Sequence, residues 1–121
     1  MIAPERFRLE SAKEYSVPPY TLDHIKNGVS EAAAAYNAAA QENDRVRHVS
    51  LFGSYADGCA TSSSDVDLLI GFESPAVSLL SLAKVLSEME ERIGTEVDIV
   101  QDPIPAGSLL AISKVIPLYA A

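Results

Sequence analysis

Apolar residues recur at helical spacing through Leu22, Ile25, Val29, Ala32, Ala33 and Tyr36, which gathers them on one face of a helix. Thr21 stands where a capping hydroxyl is wanted, and the pattern predicts a helix from there to about Asp44. Residues 31–40 hold seven alanines, small side chains that suit close packing against a neighbour. At Val46 the period changes. Residues 46–52 form a β-branched and apolar run closed by Gly53, which predicts a strand. Residues 53–58 read as a turn or a short helical start, and 59–64 as a small polar loop. Residues 65–72 alternate into a second strand. Ser74-Pro75 then opens a helix through about Ile93, ended by Gly94. A third strand is expected over 96–100, a proline-containing linker over 102–107, and a last helix from Ser108 to about Val115, ahead of Pro117. Residues 1–20 end in Ser-Val-Pro-Pro-Tyr, and Pro18-Pro19 forbids a continuing helix, so an N-terminal arm should precede a domain over 21–121. The order α-β-β-α-β-α predicts an α/β or α+β fold, with helices packed on one face of a small mixed sheet.

Charge changes this picture more than length does. A chain of 121 residues suits one domain, but its net charge is −8 and its pI is near 4.6. Nothing resembles a basic stripe, so duplex nucleic acid is not an expected partner. From His48 to Ala83 there is no Lys or Arg, while Asp57, Asp65, Asp67 and Glu73 all fall inside that stretch. If this region binds phosphates, the cations must come from solution. No apolar run approaches the roughly 18 residues of a membrane span, and the first ten residues lack the pattern of a secretion signal. Cys59 is the sole cysteine and cannot form an internal disulfide, which fits a reducing compartment. A cytoplasmic location without membrane contact is therefore expected.

Candidate chemistry begins with Asp65 and Asp67. Two apart on a strand, both carboxylates leave one face, while Val66, Leu68 and Ile70 leave the other. The third strand repeats the arrangement with Glu96 and Asp98 against Val97 and Ile99. If the two strands are neighbours, three or four carboxylates collect on one side of the sheet. Such a cluster repels itself and should raise at least one pKa. A hard dication such as Mg²⁺ relieves the conflict, because it takes oxygen ligands and bridges carboxylates to substrate phosphates. Alone, an Asp-x-Asp pair is more often plain surface. The turn at Gly53-Ser54 alters that balance, since glycine lets a phosphate approach the backbone and the amide N–H groups and Ser hydroxyl supply donors.

Taken together, Leu51-Phe52-Gly53-Ser54-Tyr55-Ala56-Asp57-Gly58, a polar loop, and Ser64-Asp65-Val66-Asp67-Leu68-Leu69-Ile70 form a compound motif, with ten residues between Ser54 and Asp65. It resembles the signature of the DNA polymerase beta-like nucleotidyltransferase superfamily, most closely its minimal nucleotidyltransferases, over roughly residues 21–119. The resemblance implies a nucleotidyltransferase-like fold and a transferase that moves a nucleoside monophosphate, AMP from ATP or another NTP, onto an acceptor hydroxyl. It implies that Asp65, Asp67 and Asp98 serve as catalytic and metal-binding residues for Mg²⁺ or Mn²⁺, and that Gly53 and Ser54 cradle the nucleotide's phosphates. It also implies a partner, since many such domains act as antitoxins for helical HEPN toxins. Asp57 departs from the pattern, for many members carry arginine there. That substitution leaves open an alternative, a catalytically weak or inactive antitoxin or regulatory subunit that acts by occluding a HEPN-type partner.

Elsewhere the residues read plainly. His24 and His48 lack metal-ligand partners at sensible spacing and are expected to be structural or solvated. Leu109, Leu110, Ile112, Val115, Ile116, Leu118 and Tyr119 are chiefly core, with an excess available to a partner or a homo-oligomer.

Overall fold

The computed structural model describes residues 18–104 and 114–121. Helix α1 spans Leu22–Ala39, and Thr21 caps it by accepting from the His24 N–H at 3.1 Å. Ile25, Val29, Ala32, Ala33 and Tyr36 form its buried stripe. The helix stops five residues short of the expected Asp44. Asn37 lies at the cause, because its side chain accepts from the Val46 N–H at 2.8 Å and donates to the Val46 carbonyl at 3.0 Å. The chain must turn back within a few residues to make that clamp, and a 3-10 turn over Glu42–Asp44 does so.

Strand β1 (Val46–Phe52) leads into the five-residue helix α2 (Gly53–Asp57), closed by Gly58 in the left-handed region. Strand β2 (Val66–Phe72) follows, then helix α3 (Leu79–Ile93) and strand β3 (Val97–Asp102). The α3 helix begins four residues later than the expected Pro75. Ser78 is the functioning cap, accepting from the Ser81 N–H at 3.1 Å. The Pro75 carbonyl is instead bonded by the Gln101 side chain at 2.9 Å. Gly94 ends α3 as the sequence indicates, at φ 92°.

A fourth strand, β4 (Ile116–Ala120), occupies the tail. The helix expected over 108–115 falls mostly on residues outside those described, but Lys114 and Val115 are not helical. The sheet order is β3-β2-β1-β4, with β1 antiparallel to both β2 and β4 and β2 parallel to β3. This is the mixed sheet expected, with one more strand.

Alternation along the strands separates two faces. Val49 and Leu51 on β1, Val66, Leu68 and Ile70 on β2, and Val97 on β3 are buried with α1 and the α3 residues Val85, Met89 and Ile93. Gly28 permits the helix contact, because a side chain there would meet the Ile93 side chain and the α3 backbone. His24 belongs to the same junction. Its Nε2 lies 2.7 Å from the Ile93 carbonyl and its ring stacks on Tyr20 at 4.8 Å. The opposite face of the sheet carries Phe52, Asp67 and Asp98 in one row.

Candidate active site

Asp67 is the hub of that row. In register it pairs with Phe52 of β1 on one side and Asp98 of β3 on the other. Directly paired residues share a face, so the parallel β2–β3 register places the carboxylates of Asp67 and Asp98 side by side. Asp65 lies two residues before Asp67, just ahead of β2, where the Val66 N–H donates to the Glu96 carbonyl at 3.2 Å. The strands thus bring Asp65, Asp67 and Asp98 together. Glu96, expected as a fourth member, is exposed and is not among the charges that act on Asp67.

The electrostatic consequence falls on the half-buried member. Asp67 holds its proton above the usual carboxylate range, chiefly through desolvation, then through the charges of Asp98 and Asp65. A hydrogen bond to Asp98, which only protonated Asp67 can donate, adds to the effect. No Lys or Arg in the sequence between His48 and Ala83 offsets this charge.

Gly53 completes the arrangement. It begins α2 at φ 76°, a conformation that L side chains rarely adopt. A Cβ at this position would run into the Asp67 carboxylate, with its carbon only 3.0 Å away. Glycine is therefore required twice, for the turn and for the carboxylate that packs on it. No side chain caps the amino end of α2, which leaves the first amides of the turn available to a ligand. Ser54 is partly exposed beside them, and its carbonyl accepts from the Cys59 N–H at 3.0 Å. Asp57 is exposed at the far end of the same short helix.

Among the described residues, no group of three or more His, Cys, Asp or Glu side chains is assembled to hold a metal by itself. The acidic set is convergent but open. That geometry suits Mg²⁺ in phosphoryl chemistry, because this ion keeps several waters and takes only one or two protein carboxylates, substrate oxygens completing its shell. The donor set, carboxylates without His or Cys, is likewise that of a hard dication.

One feature of this face was not legible as a site. His48 Nε2 lies 3.3 Å from Asp102 Oδ2, and its ring packs so closely on Gly71 that a side chain there would collide with it. His48, Gly71 and Asp102 are register partners across β1, β2 and β3. Residues 48 and 102 are far apart in sequence, and only strand order joins them.

A small mixed sheet with a glycine turn at the end of one strand and paired carboxylates on the next two is the layout of a nucleotidyl-transfer fold. Comparison with known proteins agrees. The family model described as "Polymerase beta, Nucleotidyltransferase" matches residues 36–115. The chain belongs to this nucleotidyltransferase family, within its minimal branch. The protein adenylyltransferase MntA of Thermococcus cleftensis is 35% identical over 80 residues, 66% of this chain and 76% of that protein. A Methanocaldococcus jannaschii chain with a provisional protein adenylyltransferase name is 43% identical over 54 residues, 45% of this chain and 57% of its own length. The fold also matches a chain from a crystal structure of a toxin-antitoxin with AMP-PNP, at TM-score 0.61 and 15% identity, covering 79% of this chain and 73% of that one. At that identity the likeness speaks for the fold. No helix among the described residues is long and apolar enough to cross a membrane.

Proposed function

We propose that this chain transfers AMP from ATP to a hydroxyl of an acceptor protein, using Asp65, Asp67 and Asp98. The observation that carries the proposal is the register of Asp67, which sets one carboxylate against both Gly53 and Asp98. Gly53 and Ser54 would receive the β- and γ-phosphates on the amides of the turn and the Ser hydroxyl. Asp65 and Asp67 would hold Mg²⁺ or Mn²⁺, with Asp98 as a shared third ligand. When bound, a divalent ion there would neutralise the carboxylates and stabilise charge on the phosphate oxygens. Asp98, on the outermost strand, would accept the proton of the incoming hydroxyl.

A protein as acceptor is supported by the names of the relatives, which are protein adenylyltransferases, and by the toxin-antitoxin neighbour. A HEPN-type toxin is the partner to test first. Calorimetric titration of ATP with Mg²⁺ or Mn²⁺ into the wild type and the Asp65→Asn/Asp67→Asn variant tests the site. Binding should be clear in the first and lost in the second, and equal binding would overturn the assignment. The second reading, a subunit that inhibits by occlusion, draws on Asp57, which sets an anion near the phosphate turn. On that reading the double variant would still neutralise the toxin without transferring AMP.

A further inference from the structure

Strand β3 ends the sheet, and among the described residues nothing pairs with its outer edge. The N–H and C=O of one strand residue point to the same side, and those of the next residue point oppositely. Because the Glu96 carbonyl accepts from Val66 on β2, the backbone groups of Asp98, Val100 and Asp102 also face β2. Those of Val97, Ile99 and Gln101 face outward. The first outward donor is already taken, for the Val97 N–H donates to Glu90 Oε2 at 3.1 Å. Among the described residues Ile99 and Gln101 remain, with two donors and two acceptors at the spacing of a strand, immediately beside Asp98.

We propose that the acceptor is an extended polypeptide segment that adds to this edge as a fifth strand and presents a Ser, Thr or Tyr hydroxyl opposite Asp98. This rests on the nucleotidyl-transfer reading above and specifies the acceptor's conformation. Main-chain bonds to Ile99 and Gln101 supply the docking, as in other strand additions. The residue opposite Asp98 shares its face, with Cβ atoms about 4.5–5.5 Å apart, so its hydroxyl lies on the carboxylate side of the sheet. The hydroxyl oxygen bonds to the α-phosphorus of ATP, and the bond from that phosphorus to the α–β bridging oxygen breaks. Pyrophosphate leaves with the electron pair, and the hydroxyl proton passes to Asp98.

Charge selects the segment. Glu90, Glu96, Asp98 and Asp102 stand along this edge, and residues 93–104 contain no Lys or Arg. Asp102 lies four residues from Asp98 on the same face, and strand pairing puts it opposite an acceptor residue four places from the hydroxyl. A Lys or Arg at that place meets a carboxylate whose ion-pair partner among the described residues is His48.

The test uses the 121-residue chain, labelled ATP with Mg²⁺, and synthetic peptides with one central Ser, Thr or Tyr and Lys four residues to each side. Labelling is expected for at least one hydroxyl type. N-methylation of the amides that face the edge should reduce it at least tenfold, as should replacing both Lys by Glu. Ile99→Pro and Gln101→Pro remove outward donors that the β2–β3 ladder does not use, and proline is tolerated on an edge strand. Both should keep ATP affinity within about twofold of wild type and lose peptide labelling. The N-methyl arm needs no protein variant, so it stands if either proline variant misfolds. Efficient labelling of N-methylated peptides, or ATP binding with labelling of no peptide, overturns the edge proposal alone. Absence of both ATP binding and transfer overturns the nucleotidyl-transfer reading and this inference with it.

Discussion

Replacing Asp67 with Asn removes a negative charge from between two others while keeping the side chain's size. Asp98 faces it across the strand pair at a Cβ separation of about 5 Å, and Asp65 lies about 7 Å away along the chain. Two unit charges 5 Å apart repel by about 0.8 kcal/mol at the dielectric of water and about 3 kcal/mol at an effective value near 20. Asp65 and Asp98 are both exposed, so the lower part of that range applies, and relief of about 1 kcal/mol is expected. For a chain of this size that is a rise in Tm of about 4 °C.

The pH dependence has a definite sign. Folding raises the Asp67 pKa above its ordinary value of 3.8, so between the two values the folded state binds more protons than the unfolded state. Stability therefore falls as pH rises through this interval. Below the unfolded value the penalty is absent, and above the folded value it is complete. Asp67→Asn should match the wild type near pH 3 and melt higher at pH 8, with the difference narrowing in 0.5 M NaCl. Thermal melts followed by circular dichroism in metal-free buffer read this directly. ATP with Mg²⁺ should then reverse the order, because only the wild type gains stability from a ligand that binds the native state. A variant less stable than wild type at pH 8, or an advantage that grows toward acid pH, would refute the reasoning.

Three further outcomes are expected. Gly53→Ala and Gly58→Ala both force alanine into the left-handed region, at about 1 kcal/mol each. Only the former meets Asp67, so it alone should also lose ATP binding by calorimetry. Asp57→Arg should tighten ATP·Mg²⁺ binding by up to tenfold at low salt, fading as screening increases. No change at either salt would make Asp57 a bystander. Asn37→Ala leaves the N–H and carbonyl of buried Val46 without their side-chain partner, and denaturant unfolding should report a loss of about 2 kcal/mol.

The sequence carried the site further than it carried the fold's periphery. Strand alternation places Asp65 with Asp67 on one face, and only the order of the strands was needed to bring in Asp98. The helix ends were less legible. Whether Ser74-Pro75 or Ser78 starts α3 depends on Gln101, which holds the Pro75 carbonyl from a distant strand. The stop of α1 depends similarly on the Asn37 clamp, which looks in sequence like any polar helix residue. The tail contains Ile116, Pro117, Leu118 and Tyr119, a run without clear alternation, and it becomes a strand by pairing with β1. Glu96 shares the parity of Asp98 but sits before β3 begins, and parity alone did not exclude it from the cluster.

The two halves of the proposed reaction meet on one residue because of how the sheet is ordered. β2 lies between β1, which delivers the phosphate turn, and β3, which delivers the outer carboxylate. Asp67 is at the position of β2 that has partners on both sides, Phe52 next to the turn and Asp98 next to the edge. Its carboxylate packs on Gly53, so a shift of the turn on phosphate binding cannot leave Asp67 unmoved. A change in its charge, as on ion binding, likewise removes the repulsion that acts on Asp98. Nucleotide binding at the turn and the charge that faces the β3 edge are then coupled through a single side chain.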